Sequence, residues 1–365
     1  MSFLAKMFGS AASPRSTALE LSDDESIYRA QREALIAEDR SLRFDHQVKY
    51  TAALGANGNT DTLTRADEII RNLREEEEET VWSKVMDDVP QIFPGMRFLT
   101  AKKIIQGTQL FGWMRKMPKG ALLHAHMDAM CDAQFLINEA FKHGDMMHVR
   151  TPNIISDSSS LKDTLPNFSA LPLDRTDGIS PVTITHPDYK VGEWVPVNRV
   201  RGAFPSDLGG QDGFDKWVLS ALRIDPAEAY SRYNSSEKIW TKFGSTFGVA
   251  RGLLAFEPVL AAYLRELLLF SISDGISYVE CRMDFLGKTM VRTNGEDDLS
   301  HREWLEIFNK VIEEVREEMK VQGRDDEFVG AKVIYTTLRV ISNDELDWYL
   351  NDCLTLKKEF PHLVA

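Results

Sequence analysis

Apolar residues recur every three or four positions through the first hundred-odd residues, and this period changes at Pro118. The stretch "SDDESIYRAQREALIAEDRSLRFD" places Ile27, Ala30, Ala34 and Leu35 at helical spacing behind two capping residues, Ser22 and Asp23. After the turn-rich "GANGNTDT", "LTRADEIIRNLREEEEETVWSKVMDD" predicts a second helix, with the run Glu75 to Glu79 as its solvated face. Beyond Pro90 and Pro94, "FLTAKKIIQGTQLFGWMRK" predicts a third helix ended by Pro118. Residues 22–116 thus read as an all-helical extension, preceded by a disordered tail over 1–21.

From residue 117 onwards the pattern belongs to a second domain, 117–365. "GALLHAHMDAM" is short, apolar and flanked by Gly120, the signature of a buried strand. Residues 144–215 carry most of the chain's Pro, Gly, Asn and Asp turn chemistry and read as a loop-rich insertion with short strands such as "PVTIT". Helices resume with "FDKWVLSALR", "SSEKIWTKFGSTFGVARGLL" and "EPVLAAYLRELLLFSISDG". Strand then alternates with helix. "ISYVECRMDF" is followed by an amphipathic helix with Trp304, Ile307, Phe308, Val311 and Val315 on one side. "FVGAKVIYTTLRV" is followed by a helix capped by Ser342 or Asn343, and "HLVA" opens a further strand. This alternation predicts a parallel sheet in an α/β fold.

Charge narrows the function. The 365 residues hold 43 Lys and Arg against 56 Asp and Glu, a formal net charge of −13. Such a chain has no general attraction for nucleic-acid phosphates or an anionic membrane, so neither is expected as a partner. No apolar run is long enough to span a bilayer. Cys131, Cys281 and Cys353 are odd in number and far apart, which speaks against a disulfide framework or a zinc ribbon and for a reducing, cytoplasmic setting.

The candidate chemistry lies in "MPKGALLHAHMDAM". Side chains two apart on a strand point the same way, ~6.6 Å apart at the backbone. His124 and His126 are therefore able to lean onto one metal ion, at ~2.0–2.1 Å from each nitrogen, with Asp128 on the same face. The competing reading is a pair of core histidines bonded to backbone carbonyls. Asp128 also suits a cap just after the strand.

The words around the pair add more. "MPKGALLHAHMDA" resembles the first-strand motif of the adenosine deaminase family of metal-dependent hydrolases. "IFPGMRFLTAKKIIQGTQLFGWMRKMPKGALLHAH", "KIWTKFGSTFGVARGLL", "YLRELLLFSISDGISYVECR" and "VGAKVIYTTLRVIS" resemble, in the same order, its growth-factor-type, adenosine deaminase 2-like branch. The resemblance covers roughly residues 90–365, less closely across 144–215. It implies a (β/α)8 TIM-barrel type of fold, present here as about strands 1–4, behind the helical extension, with the insertion after strand 1. It implies Zn2+ held by His124 and His126, and hydrolytic deamination of adenosine or 2′-deoxyadenosine to inosine and ammonia. It implies a small nucleoside substrate contacting Asp128, Trp240 and Phe243, although an aromatic pair at that spacing is ordinarily core packing. A homodimer through the N-terminal helices follows from the same likeness, as does matching Glu280 and Arg282 to a "VE-R" pattern, expected as a buried ion pair.

Two departures stand out. The branch usually carries its acid directly after the second histidine, where this chain has Met127. The family's "H-A-G-E" motif, which supplies a third histidine and the general-base glutamate, is absent, as is its late aspartate pair. The expectation is therefore an amino-terminal half, inactive alone, with catalytic residues of strands 5–8 outside the chain. Two alternatives stay open: a catalytically inactive binding or dimerisation module, and a deaminase of another amino-purine, adenine or AMP. The cysteine-free insertion cannot form the disulfide of secreted relatives, which fits the intracellular expectation.

Overall fold

A computed structural model of the protein describes residues 26–41, 60–84, 92–233, 235–285, 287–338 and 341–365. The tail expected over 1–21 and the capping residues Ser22 and Asp23 lie outside the described residues. Among the described residues, no helix is long and apolar enough to cross a membrane. Two compact units divide the chain, one ending at Met114 and the other running from Arg115 to Ala365.

The first unit is helical: α1 (26–41), α2 (Thr60–Glu77), α3 (Phe98–Gln106) and the start of α4 (Gln109–Lys116). The expected third helix is two helices, because Gly107 and Thr108 end α3 and restart the chain. The Thr108 hydroxyl accepts from the Phe111 N–H and donates to the Ile105 carbonyl. Nor is the glutamate run wholly solvated. Glu77 is buried, and its carboxylate accepts the Leu110 N–H at 2.9 Å. It thereby satisfies one of the donors that a helix start leaves unpaired.

In the second unit, β1 (Gly120–His126) leads into α5 (Ala133–Phe141). The segment expected as a loop-rich insertion with short strands holds an antiparallel sheet of β2 (Met147–Arg150), β3 (Asn167–Ala170) and β4 (Val195–Pro196), in the order β3-β2-β4, with α6 (Ser158–Asp163) and α7 (Val197–Gly202), and the helix expected after it is α8 (Gly210–Ala221). "PVTIT" is not a strand. The Ile155 N–H pairs with the Ile184 carbonyl, while turns close at His186 and Tyr189, so the stretch folds back rather than extends. Long helices α9 (Ser236–Leu254) and α10 (Glu257–Ser273) precede β5 (Ile276–Asp284). A hairpin of β6 (Thr289–Val291) and β7 (Asp297–Ser300) leads to α11 (His301–Val321), then β8 (Gly330–Thr336) and α12 (Asn343–Glu359).

The predicted parallel alternation is present. β1, β5 and β8 form one sheet in that order, and both pairings are parallel. Val364 makes a further parallel bridge to Val333, where "HLVA" was expected to open a strand. Of the predicted α11 face, Trp304, Phe308, Val311 and Val315 are buried and Ile307 is half-buried against the core, joined by Leu305, Ile312 and Met319. At ~1.5–3 kcal/mol for each fully buried large side chain, this seam decides where α11 lies. Ser300 and Ser342 cap α11 and α12 through reciprocal bonds with Glu303 and Glu345.

β1 departs from expectation. It is largely exposed, with Leu123 at 55%. Its apolar residues looked like a doubly covered strand, but in the sheet it is an edge, paired with β5 alone. Its amino end is tied down by the Pro-Lys pair. The Lys119 N–H donates to the Gly275 carbonyl at 2.7 Å, and its ammonium reaches the Asp274 carboxylate at 3.3 Å. Gly275 adopts φ +77°, and a Cβ there would lie 2.7 Å from the Met117 carbonyl oxygen. Only glycine lets the turn between α10 and β5 approach the start of β1 so closely.

Candidate functional site

The carboxyl ends of β1 and β5 gather the side chains that sequence reasoning singled out. His124 and His126 lie on one side of β1, with ring centres 6.0 Å apart and planes at 54°. Two imidazoles sharing one tetrahedral ion have ring centres roughly 5 Å apart, given nitrogen–metal distances of ~2.0–2.1 Å. The pair stands close to that spacing, and a small rotation of either ring would bring both nitrogens to one point. Among the described residues, no group of three or more His, Cys, Asp and Glu comes together to hold an ion.

Asp128 does not continue the strand face. β1 ends at His126, and Asp128 sits in a short 3-10 turn, Met127–Ala129. The period of two stops there, so its direction is set by the turn. Burial pushes the Asp128 carboxyl up from the usual range, while Arg251 and His126 pull it back down. Burial likewise lowers the Arg251 guanidinium, which Asp128 and then Tyr349 partly offset. Arg251 also pairs with Asp284 at the end of β5.

Arg282 faces the same place. One of its guanidinium nitrogens lies 3.4 Å from His124 Nδ1. A guanidinium only donates, so Nδ1 accepts. Metal ligation through either nitrogen of His124 requires Arg282 to give up this long contact. The expected ion pair between Glu280 and Arg282 is not formed. Glu280 accepts instead from the Tyr278 hydroxyl at 2.9 Å, while the Arg282 guanidinium lies against His124. Asp128, Arg251, Arg282 and Asp284 line a mostly apolar cavity of about 60 Å³, together with Gly287 and His301.

Trp240 and Phe243 are 52% and 42% exposed, so they are not core residues. They stand edge to face, ring centres 5.4 Å apart. Phe243 meets Phe247 at 5.0 Å, and Phe247 meets His126 at 5.9 Å. An aromatic ridge thus runs along α9 to the histidine pair. Phe247 and Arg251 were missed by sequence reasoning. Their signal was present: positions 240, 243, 247 and 251 follow the three- and four-residue steps of one helix face.

Fold and geometry define the class: a mixed α/β protein with a parallel sheet, whose first parallel strand ends in an imidazole pair. No family model matches the chain. Among curated proteins, it is 27% identical over 275 residues to adenosine deaminase 2-A of Danio rerio, covering 75% of this chain and 48% of that protein. It is 25% identical over 281 residues to an adenosine deaminase of Phlebotomus duboscqi, covering 75% of this chain and 46% of that protein. Against adenosine deaminase 2 of Homo sapiens it is 23% identical over 279 residues, covering 74% and 47%. The chain is thus similar in sequence to proteins named adenosine deaminase and adenosine deaminase 2. It spans about half the length of the curated relatives it matches.

Proposed function

We propose that this chain carries the first half of a zinc-dependent adenosine deaminase barrel. The observation that carries the reading is the imidazole pair, 6.0 Å apart at the carboxyl end of the first parallel strand. There, parallel α/β folds place their chemistry. The parallel order β1-β5-β8, continued by Val364, supports a partial barrel. His124 and His126 hold two positions of the ion. Zinc, when bound, lowers the pKa of its water to ~7 and so provides hydroxide at neutral pH. Trp240, Phe243 and Phe247 offer aromatic edges and faces to a planar purine. Asp128, kept partly from water beside Arg251, accepts from a sugar hydroxyl. The remaining ligands and the general base come from outside these residues, so the chain alone is inactive.

Ammonia release from adenosine tests this. It is measured on the longest natural product carrying these residues, with adenine and AMP as competing substrates and His126→Ala as control. The reading expects adenosine to be preferred and activity to be lost in His126→Ala. Undiminished ammonia release from His126→Ala overturns it.

The absence of a third donor among the described residues favours a second reading for the 365-residue chain itself, a binding or dimerisation module. The expected apolar helix face supports it, since Ile27 and Leu35 on α1 are exposed in the isolated chain. Sedimentation of the chain against an Ile27→Glu, Leu35→Glu variant checks that reading. A cytoplasmic setting suits the three free thiols.

A further inference from the structure

One face of α12 is apolar and open to solvent. The helix docks through Tyr349 and Leu356, both buried, and through Asp352, whose carboxylate lies 2.6 Å from His301 Nδ1 and accepts from the Tyr335 hydroxyl at 2.8 Å. At ~100° per residue, Leu346, Leu350 and Leu354 form a row of one-turn steps set to the side of that docked face. They are 46%, 54% and 49% exposed. Single apolar side chains at a surface are ordinary. An unbroken row along one helix is the kind of face that buries against another element.

Charge is arranged around this row in a self-complementary way. Asp347 and Lys358 are separated by close to three whole turns, so they lie on the same flank of the row, one near each end of the helix. Among the described residues, neither side chain makes a hydrogen bond or ion pair. The helix dipole accounts for Lys358 in the last turn but not for Asp347, which stands beyond the first turn. When two identical helices meet antiparallel about a two-fold axis, each flank faces the same flank of the other. Asp347 then meets the second copy's Lys358 at both ends, with the leucine rows packed between them. A parallel pair would hold these opposite charges at opposite ends of the interface. Flanking charges of this kind set the partner and the direction of helix pairs.

We propose that α12 is a dimerisation helix, on which a second copy of this chain docks antiparallel through Leu346, Leu350 and Leu354, with Asp347 of each copy paired to Lys358 of the other. The surface is distinct from the exposed side chains of α1, and the inference goes beyond the deaminase reading and stands without it. A single helix pair buries less than a standard interface, so the dimer is weak, with a dissociation constant of roughly micromolar order.

Sedimentation velocity of the full chain, over a series of about 1–200 μM, tests this. The chain is expected to pass from monomer to dimer across the series. Leu350→Glu replaces an exposed side chain, so it is expected to leave the circular dichroism unchanged and the chain monomeric. Asp347→Lys and Lys358→Asp are each expected to weaken the dimer about tenfold, because each dimer carries the altered contact twice. The two reversals combined restore attraction, and the dimer is expected to return to near its original strength. Ile27→Glu, Leu35→Glu on α1 is expected to leave it unchanged. A chain that stays monomeric throughout overturns the proposal and leaves the row to a different protein. A dimer that survives Leu350→Glu also overturns it, as do single reversals that the double reversal fails to repair.

Discussion

Replacing Gly275 by alanine puts the placement of the histidine strand to the test. Gly275 holds φ +77°, a region that costs an L-residue about 1–2 kcal/mol. The added Cβ also meets the Met117 carbonyl oxygen at 2.7 Å and Pro118 Cα at 3.4 Å. Those atoms are backbone, so relief requires moving the start of β1, at a further cost of about 1–3 kcal/mol. The combined loss is about 2–5 kcal/mol. Gly323 is the matched control: its φ is +67°, and nothing lies within 4 Å of its would-be Cβ. Gly323→Ala should therefore lose only about 1–2 kcal/mol. For a unit of this size each kcal/mol lowers Tm by about 2–4 °C, so Gly275→Ala should melt roughly 4–20 °C lower and Gly323→Ala roughly 2–8 °C lower. Scanning calorimetry with paired urea titrations reads both. Equal losses in the two variants would refute the claim that close backbone approach fixes β1 against the α10–β5 turn.

Three further outcomes are expected. Lys242 and Glu228 form a pair at 3.3 Å with side chains only 6% and 14% exposed, so Lys242→Met should cost about 3–5 kcal/mol in urea unfolding, while adding Glu228→Gln should recover part of it. The Glu303 carboxyl is held down to about 2, first by the Ser300 backbone N–H and then by Arg292. Its stabilisation is present above the ordinary glutamate value and lost as pH falls toward 2. The gap between the chain and Glu303→Gln should close over that interval in pH-dependent unfolding, by less than the full shift implies because the carboxylate is solvent-screened. Trp240→Ala, at an exposed position, should change unfolding free energy by no more than about 0.5 kcal/mol while weakening adenosine binding measured by calorimetry.

The elements legible in the sequence were those whose period one face dictates. The α11 seam and the strand–helix alternation through β5, β8 and α12 follow from local spacing alone. The exposure of β1 was not legible, because burial of an apolar strand depends on neighbours supplied elsewhere in the sheet. The histidine pair could be read because both residues lie on one strand. Asp128 leaves the strand face because β1 ends at His126, two residues before it, in line with the alternative reading of a residue just after the strand. Phe247 and Arg251 were hidden in plain helical spacing that core packing shares. His301 and Asp352 lie 51 positions apart, and only the packing of α11 against α12 joins them.

The central claim is that His124 and His126 grip one divalent ion. X-ray absorption on the zinc-loaded chain tests it most directly. The account predicts two imidazole nitrogens at ~2.0–2.1 Å from zinc, with one lost in His126→Ala. A zinc environment that shows no imidazole scattering, or one that His126→Ala leaves unchanged, contradicts it.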